Sequence, residues 1–356
     1  MNALDLARWQ FAITTVYHFL FVPITIGLTA CIAIMQTIWH RGGDDRWLRL
    51  TKFFGKLFMI NFALGLVTGI VQEFQFGMNW SLYSRFVGDI FGAPLAFEAL
   101  LAFFLESTFL GLWIFGWDRL PRKAHLASIW LVHLGTVFSA YFILAANSFM
   151  QNPVGYTYNP TTNRAELADF VAVLTNEVQL VTFPHVLTGA YMTAGAFIMG
   201  VALYHLRKQA LDRGSDLAMY RKAVRFGAIV ALVGGLGVVV SGDLQGKVMT
   251  TYQPMKMAAA EALYETRSNA PFSVLTIGGL DGTNARPIIE VPGLLSFLGT
   301  GSFSGKGLLQ VQAMHAVLSS RLPSEQMLSH DLLEGAIARC ATVSAAFTLD
   351  RRLIGV

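Results

Sequence analysis

Two histidines and two glutamates lie where side chains are otherwise hydrocarbon. His18 sits in "TTVYHFLFVPI", His185 in "VTFPHVLTGA", and Glu98 and Glu106 in "LAFEALLAFFLESTFLGLWIFG". An ionisable group at membrane depth costs at least about 2.5–3.5 kcal/mol by insertion scales, so it faces a partner or performs a task. A buried histidine can make an interhelical hydrogen bond, or its neutral imidazole can ligate iron, with haem the common apolar cofactor that needs one. A carboxylate between the cytoplasm and such a site can shuttle protons. Ser139, "VFSAYF", could extend that relay or simply pack between helices.

The elements that position these groups are read from composition and pattern. Of 356 residues, 54% are hydrophobic and 13% charged, against about 25% charged in soluble domains; the mean hydropathy is +0.51. Residues 11–39 hold no carboxylate, lysine or arginine, and about 20 apolar residues cross a bilayer. The run is too long for the apolar part of a signal peptide and no cleavage site follows, so a retained transmembrane helix is expected. Six apolar segments stand out: 11–39, 53–77, 90–117, 126–150, 181–206 and 226–242. The fold class is therefore all-α and polytopic, with six transmembrane helices.

Charge sets the expected orientation. Loops 40–52, 118–125 and 207–225 carry thirteen lysines and arginines, and the opposite side before residue 243 carries only Arg8, Arg85 and Arg164. The basic side should be cytoplasmic and the N-terminus outside. The net charge of +4 thus reflects topology and implies no nucleic acid. At about 1.5 Å per residue, His18 lies roughly 10 Å below the outer surface, Glu98 about 12 Å, Glu106 about 24 Å and His185 about 6 Å. On a regular helix Glu106 is offset from Glu98 by about 80°. His40, His125 and His205 read as ordinary interfacial residues, and His133 as a snorkelling or hydrogen-bonding one. Cys31 reads as a buried thiol, and Cys31 and Cys340 form no metal-binding spacing.

Longer motifs resemble a known family. "YHFLFVPITIG", "FGKLFMINFALGLVTGIVQEFQFGMNWS", "VGDIFGAPLAFEALLAFFLESTFLGLWIFGWDRL", "ILAANSFMQNPVGY" and "YQPMKMAAAEALYET" resemble subunit I of the cytochrome bd-type quinol oxidases, over about residues 5–300. The resemblance implies a terminal respiratory oxidase of the bacterial cytoplasmic membrane. It would oxidise quinol at the outer face and reduce O2 to water at a dihaem site, with protons taken from the cytoplasm. It implies low-spin haem b, high-spin haem b and haem d as cofactors, and a subunit II and a small single-helix subunit as partners. His18 matches the axial ligand at the oxygen-reducing site and His185 one axial ligand of the low-spin haem b. Glu98 and Glu106 match carboxylates near the high-spin haems and on the proton route. Arg8 matches a neutraliser of a haem propionate. Gln253, Lys256 and Glu261 match the quinol-oxidising segment.

This divides the chain into a haem-binding bundle at 1–246, a partial quinol-binding loop at 247–304 and an unassigned, chimeric-looking tail at 305–356. Within the tail, "LPSEQMLSHDLLEG" resembles a fragment of cyclic glucan synthases. The family has nine helices, so a six-helix chain is expected to bind haem incompletely and to lack oxidase activity alone. Two other classes stay open: a cofactor-free membrane assembly or scaffold protein derived from that subunit, and a proton-coupled transporter using Glu98 and Glu106.

Overall fold

The computed structural model describes residues 3–211 and 216–253. Six stretches within it are helical, long and apolar enough to cross a membrane: Asp5–Gly42, Asp45–Gly77, Ser81–Phe115, Arg122–Gln151, Phe170–Ala210 and Leu217–Tyr252. Each contains one of the apolar segments or nearly all of it, because the flanking polar residues continue the helix beyond the hydrocarbon run.

The first stretch is two helices, α1 (Ala3–Phe19) and α2 (Val22–Gly42). Arg8, expected just before the first helix, lies within α1. Pro23 in the first turn of α2 explains the break, since it has no N–H to donate and prefers a helix start. Broken backbone at membrane depth must find other partners. Phe21 N donates to the His18 carbonyl at 3.1 Å. The Phe21 carbonyl accepts from Thr25 N and from Asn61 Nδ2, both at 2.9 Å. Asn61 belongs to α3 (Asp45–Glu73), which ends in a short 3-10 turn at Phe74–Gly77.

The third stretch is also interrupted. Helix α4 (Ser81–Phe97) leads into a π-helical turn at Glu98–Phe103 and then α5 (Phe104–Phe115). Pro94 lies inside α4, four residues before the wider turn, where its missing N–H already weakens the regular ladder. After α6 (Arg122–Gln151) comes an antiparallel hairpin, β1 (Tyr156–Asn159) with β2 (Arg164–Leu167), and then the short α7 (Phe170–Leu174). Asn163 at the turn has φ 51°, a conformation asparagine tolerates. Helices α8 (Glu177–Leu211) and α9 (Leu217–Tyr252) complete the described chain.

Two compact units are formed. One comprises Met1–Asn79, Pro94–Ile143 and Phe183–Val238. Its core gathers Leu28, Ile32, Met35, Phe54, Phe58 and Ile198. Small residues bring its helices close, as expected where lipid supplies no hydrophobic drive: a Cβ on Gly27 would lie 2.3 Å from the Ala190 carbonyl oxygen, and one on Gly195 2.4 Å from Ala231 N. The other unit comprises Trp80–Ala93, Leu144–Thr182 and the chain from Val239. There the hairpin docks on α4 through Arg164 Nε to the Arg85 carbonyl at 2.9 Å and Leu167 N to Asp89 Oδ2 at 2.8 Å.

Candidate functional site

His18 closes α1 one turn before the break, half-buried against α3. Its Nδ1 lies 3.1 Å from Thr68 Oγ1. That hydroxyl gives its own proton to the carbonyls of Leu64 and Gly65, at 2.9 and 3.0 Å. It therefore accepts from His18, which places the imidazole proton on Nδ1, and the ring also bonds the backbone of Gly65. Gly69 backs the ring: a Cβ there would lie 3.0 Å from His18 Cε1. Hydrogen bonds of this kind are what orient a histidine that ligates iron through its other nitrogen.

His185, on α8, is 3% exposed. Its ring bonds the backbone of Val238 on α9, the carbonyl partner typical of a ligating histidine. Among the described residues no group of three or more His, Cys, Asp or Glu side chains gathers as for a bare metal ion. Single histidines are what the arrangement offers; one suffices for a five-coordinate haem, whereas a low-spin haem takes a second axial ligand.

The carboxylates differ from the expectation in phase. An i→i+5 turn holds one residue more than a regular turn, so the π turn sets the following helix back by about 100°. The 80° offset between Glu98 and Glu106 shrinks to about 20°, and both meet the same face of α6. Ser139 Oγ donates to Glu98 Oε1 at 2.7 Å. One turn away, a Cβ on Gly135 would lie 2.9 Å from Glu106 Cβ. Glu106 is 6% exposed, and its Oε1 has no hydrogen-bond partner among the described residues. Ser139, Glu98 and Glu106 thus come together along α6, whereas His18 and His185 are each held by a different neighbour, α3 and α9.

Of the remaining predicted residues, Arg8 is exposed and makes no ion pair among the described residues. Gln253 is buried, its Nε2 donating to the Gln151 carbonyl at 2.5 Å. Beside it, Tyr252 donates to Glu177 Oε2 at 2.5 Å. Lys256 and Glu261 lie outside the described residues, as do the 305–356 tail and nearly all of the 247–304 loop.

Sequence reasoning missed Thr68, visible only as a threonine between Gly65 and Gly69, and His125. The latter is no interfacial residue: it is 3% exposed and bonded to Gln36 and Trp113. His133 is likewise drawn inward, 3.0 Å from Thr29 Oγ1 and 3.3 Å from the Tyr191 hydroxyl.

The family model of cytochrome bd terminal oxidase subunit I matches residues 6–347. The chain belongs to that family. Cytochrome bd subunit I is a helical membrane protein, and this member is 50% identical over 317 residues to cytochrome bd ubiquinol oxidase subunit 1 of Bacillus subtilis, which covers 88% of the chain and 66% of that relative. The structure of bd oxidase from Geobacillus thermodenitrificans matches with a TM-score of 0.68 and 31% identity, over 73% of this chain and 59% of that one. The chain therefore spans about three fifths to two thirds of these subunit I relatives. The family match extends past residue 300, where the motif resemblance ended. A stretch of 46 residues is 59% identical to part of the cyclic β-(1,2)-glucan synthase NdvB of Rhizobium meliloti, in keeping with the synthase-like fragment read from the sequence.

Proposed function

We propose that the chain serves as the electron-transferring subunit I of a terminal oxidase that oxidises quinol at the outer face of a bacterial cytoplasmic membrane and reduces O2 to water. The observation that carries this reading is the setting of His18: a ring oriented by Thr68 and the Gly65 backbone, with Gly69 clearing space beside it. His18 would hold a haem at the oxygen-reducing site and His185 the low-spin haem b, with high-spin haem b and haem d completing the set. When bound, haem supplies the redox-active iron that passes electrons from quinol to O2.

The chain's own residues supply the remainder. Glu106, buried with an unpaired oxygen, accepts protons arriving from the cytoplasmic side. Glu98, held by Ser139, receives them nearer the oxygen site, and both carboxylates face one side of α5 and its π turn. Arg8 neutralises a propionate at the outer end. Gln253, with Lys256 and Glu261, receives quinol. The N-terminus lies outside, as the distribution of basic residues supports. A second membrane subunit, and a small single-helix subunit, cover apolar helix faces such as Leu100, Phe104 and Phe115, which are 71%, 58% and 72% exposed.

The experiment is a reduced-minus-oxidised optical spectrum of membranes holding the chain with subunit II, beside His18→Ala and His185→Ala, together with quinol-dependent oxygen uptake. Each substitution should remove a different haem band. Spectra without haem in the parent chain would overturn the reading and favour the cofactor-free assembly protein.

A further inference from the structure

Gln36 on α2, Trp113 on α5 and His125 on α6 form a closed ring of three hydrogen bonds. Trp113 Nε1 donates to Gln36 Oε1 at 2.8 Å. An indole can only donate, so the other end of the Gln36 amide is its NH2, 2.9 Å from His125 Nδ1. Nδ1 is then an acceptor, the imidazole proton sits on Nε2, and Nε2 donates to the Trp113 carbonyl at 2.8 Å. Every donor and acceptor assignment follows from the indole. All three side chains are 3% exposed or less. The Trp117 ring covers the imidazole with centroids 4.2 Å apart, and Lys52 lies over Trp117.

The carbonyl that His125 bonds belongs to the last turn of α5, where backbone oxygens have no helical partner. The imidazole therefore caps α5 from a neighbouring helix. Trp113 lies seven residues after Glu106, two turns along the same side. Upstream, the π turn at Glu98–Phe103 has already shifted α5 by one residue, and a helix containing such a turn has an alternative phase one residue away. In that alternative, Leu112 or Ile114 would replace Trp113 opposite Gln36, and neither side chain can donate. Gly135 would then meet Leu105 or Ser107 in place of Glu106.

We propose that the Gln36–Trp113–His125 ring is a register lock that keeps α5 in the phase presenting Glu106 to Gly135 of α6, so that His125 and Trp113 are positioning residues for that carboxylate. The importance of this for turnover rests on the reading above, in which Glu106 carries protons. The lock itself does not depend on it.

The test uses the full chain, co-expressed with subunit II in bacterial membranes, with Cys31→Ala and Cys340→Ala as background. Oxidative cross-linking is measured for Gly135→Cys paired with Glu106→Cys, Leu105→Cys or Ser107→Cys. The Glu106→Cys pair should cross-link best. Trp113→Phe, which removes the N–H along with part of the ring, should lower that yield severalfold and raise a neighbouring pair; His125→Ala, which leaves the indole in place, should do the same. Unchanged yields in both variants would overturn the lock. With Glu106 intact, the same two variants should lower kcat for quinol-dependent oxygen uptake and leave the quinol KM unaltered. A displaced cross-link with unchanged kcat would leave the lock standing and overturn the role given to Glu106.

Discussion

Thr68 takes the Nδ1 proton of His18 because its own hydroxyl proton is already committed to carbonyls one turn back on α3. The relationship sets both the tautomer and the plane of the imidazole. Outer partners of a ligating histidine typically contribute 10–100-fold in affinity. Thr68→Val keeps the shape and removes the acceptor, so haem affinity at His18 should fall by about that factor. Titrating haem into membranes from haem-depleted cells measures it, and the band lost on His185→Ala should keep its strength.

The bond from Ser139 to Glu98 joins α6 to the π turn. Ser139→Ala leaves a half-buried carboxylate oxygen without its donor, a loss of about 1–3 kcal/mol. In detergent, the unfolding midpoint should drop accordingly. Combining the change with Glu98→Gln should cost less than the two separate effects summed, because both remove the same bond.

The six spans could be read before any coordinates, from apolar run length, and the cost of polarity in lipid made Glu98, Glu106 and Ser139 candidates. What stayed hidden is a matter of phase and closure. Pro23 and Pro94 are visible in the sequence, but whether a proline starts a helix, ends one or precedes a π turn depends on which neighbours satisfy the freed groups. Asn61 does so for Phe21 from forty residues away. The 80° offset between the carboxylates fails for the same reason, since one extra residue in a turn leaves no mark on composition. His125 looked interfacial because its place near the end of a basic helix is local information, whereas its partners Gln36 and Trp113 come from two other helices.

Outside the spans, Asp44 caps α3 through Arg46 N at 3.0 Å and pairs with Arg46 Nε at 2.8 Å and with Lys222 of α9. The hydrogen bond from Arg46 first, then that from Lys222, holds its carboxyl well below the usual carboxylate range. A carboxyl with a depressed folded value adds stability that is complete above its unfolded value near about 4 and lost as pH falls through the folded one. The unfolding midpoint should therefore decline below about pH 4 with a slope that Asp44→Asn reduces. An identical slope in both proteins would assign the decline to other carboxylates.

Glycine 195 tests the packing that holds α8, and so His185, against α9. An added Cβ would lie 2.4 Å from Ala231 N and 2.7 Å from the Gly227 carbonyl oxygen. Both obstacles are backbone, so no side chain can swing away and the helices must separate. Overpacking of this kind costs about 1–3 kcal/mol. Gly195→Ala should lower the unfolding midpoint and weaken the haem signal assigned to His185, because its ring is oriented by Val238 on the helix that moves. Gly200→Ala, five residues along the same helix with nothing within 4 Å of an added Cβ, should change neither. Equal behaviour of the two variants would mean that the close approach of α8 and α9 has no bearing on the His185 site.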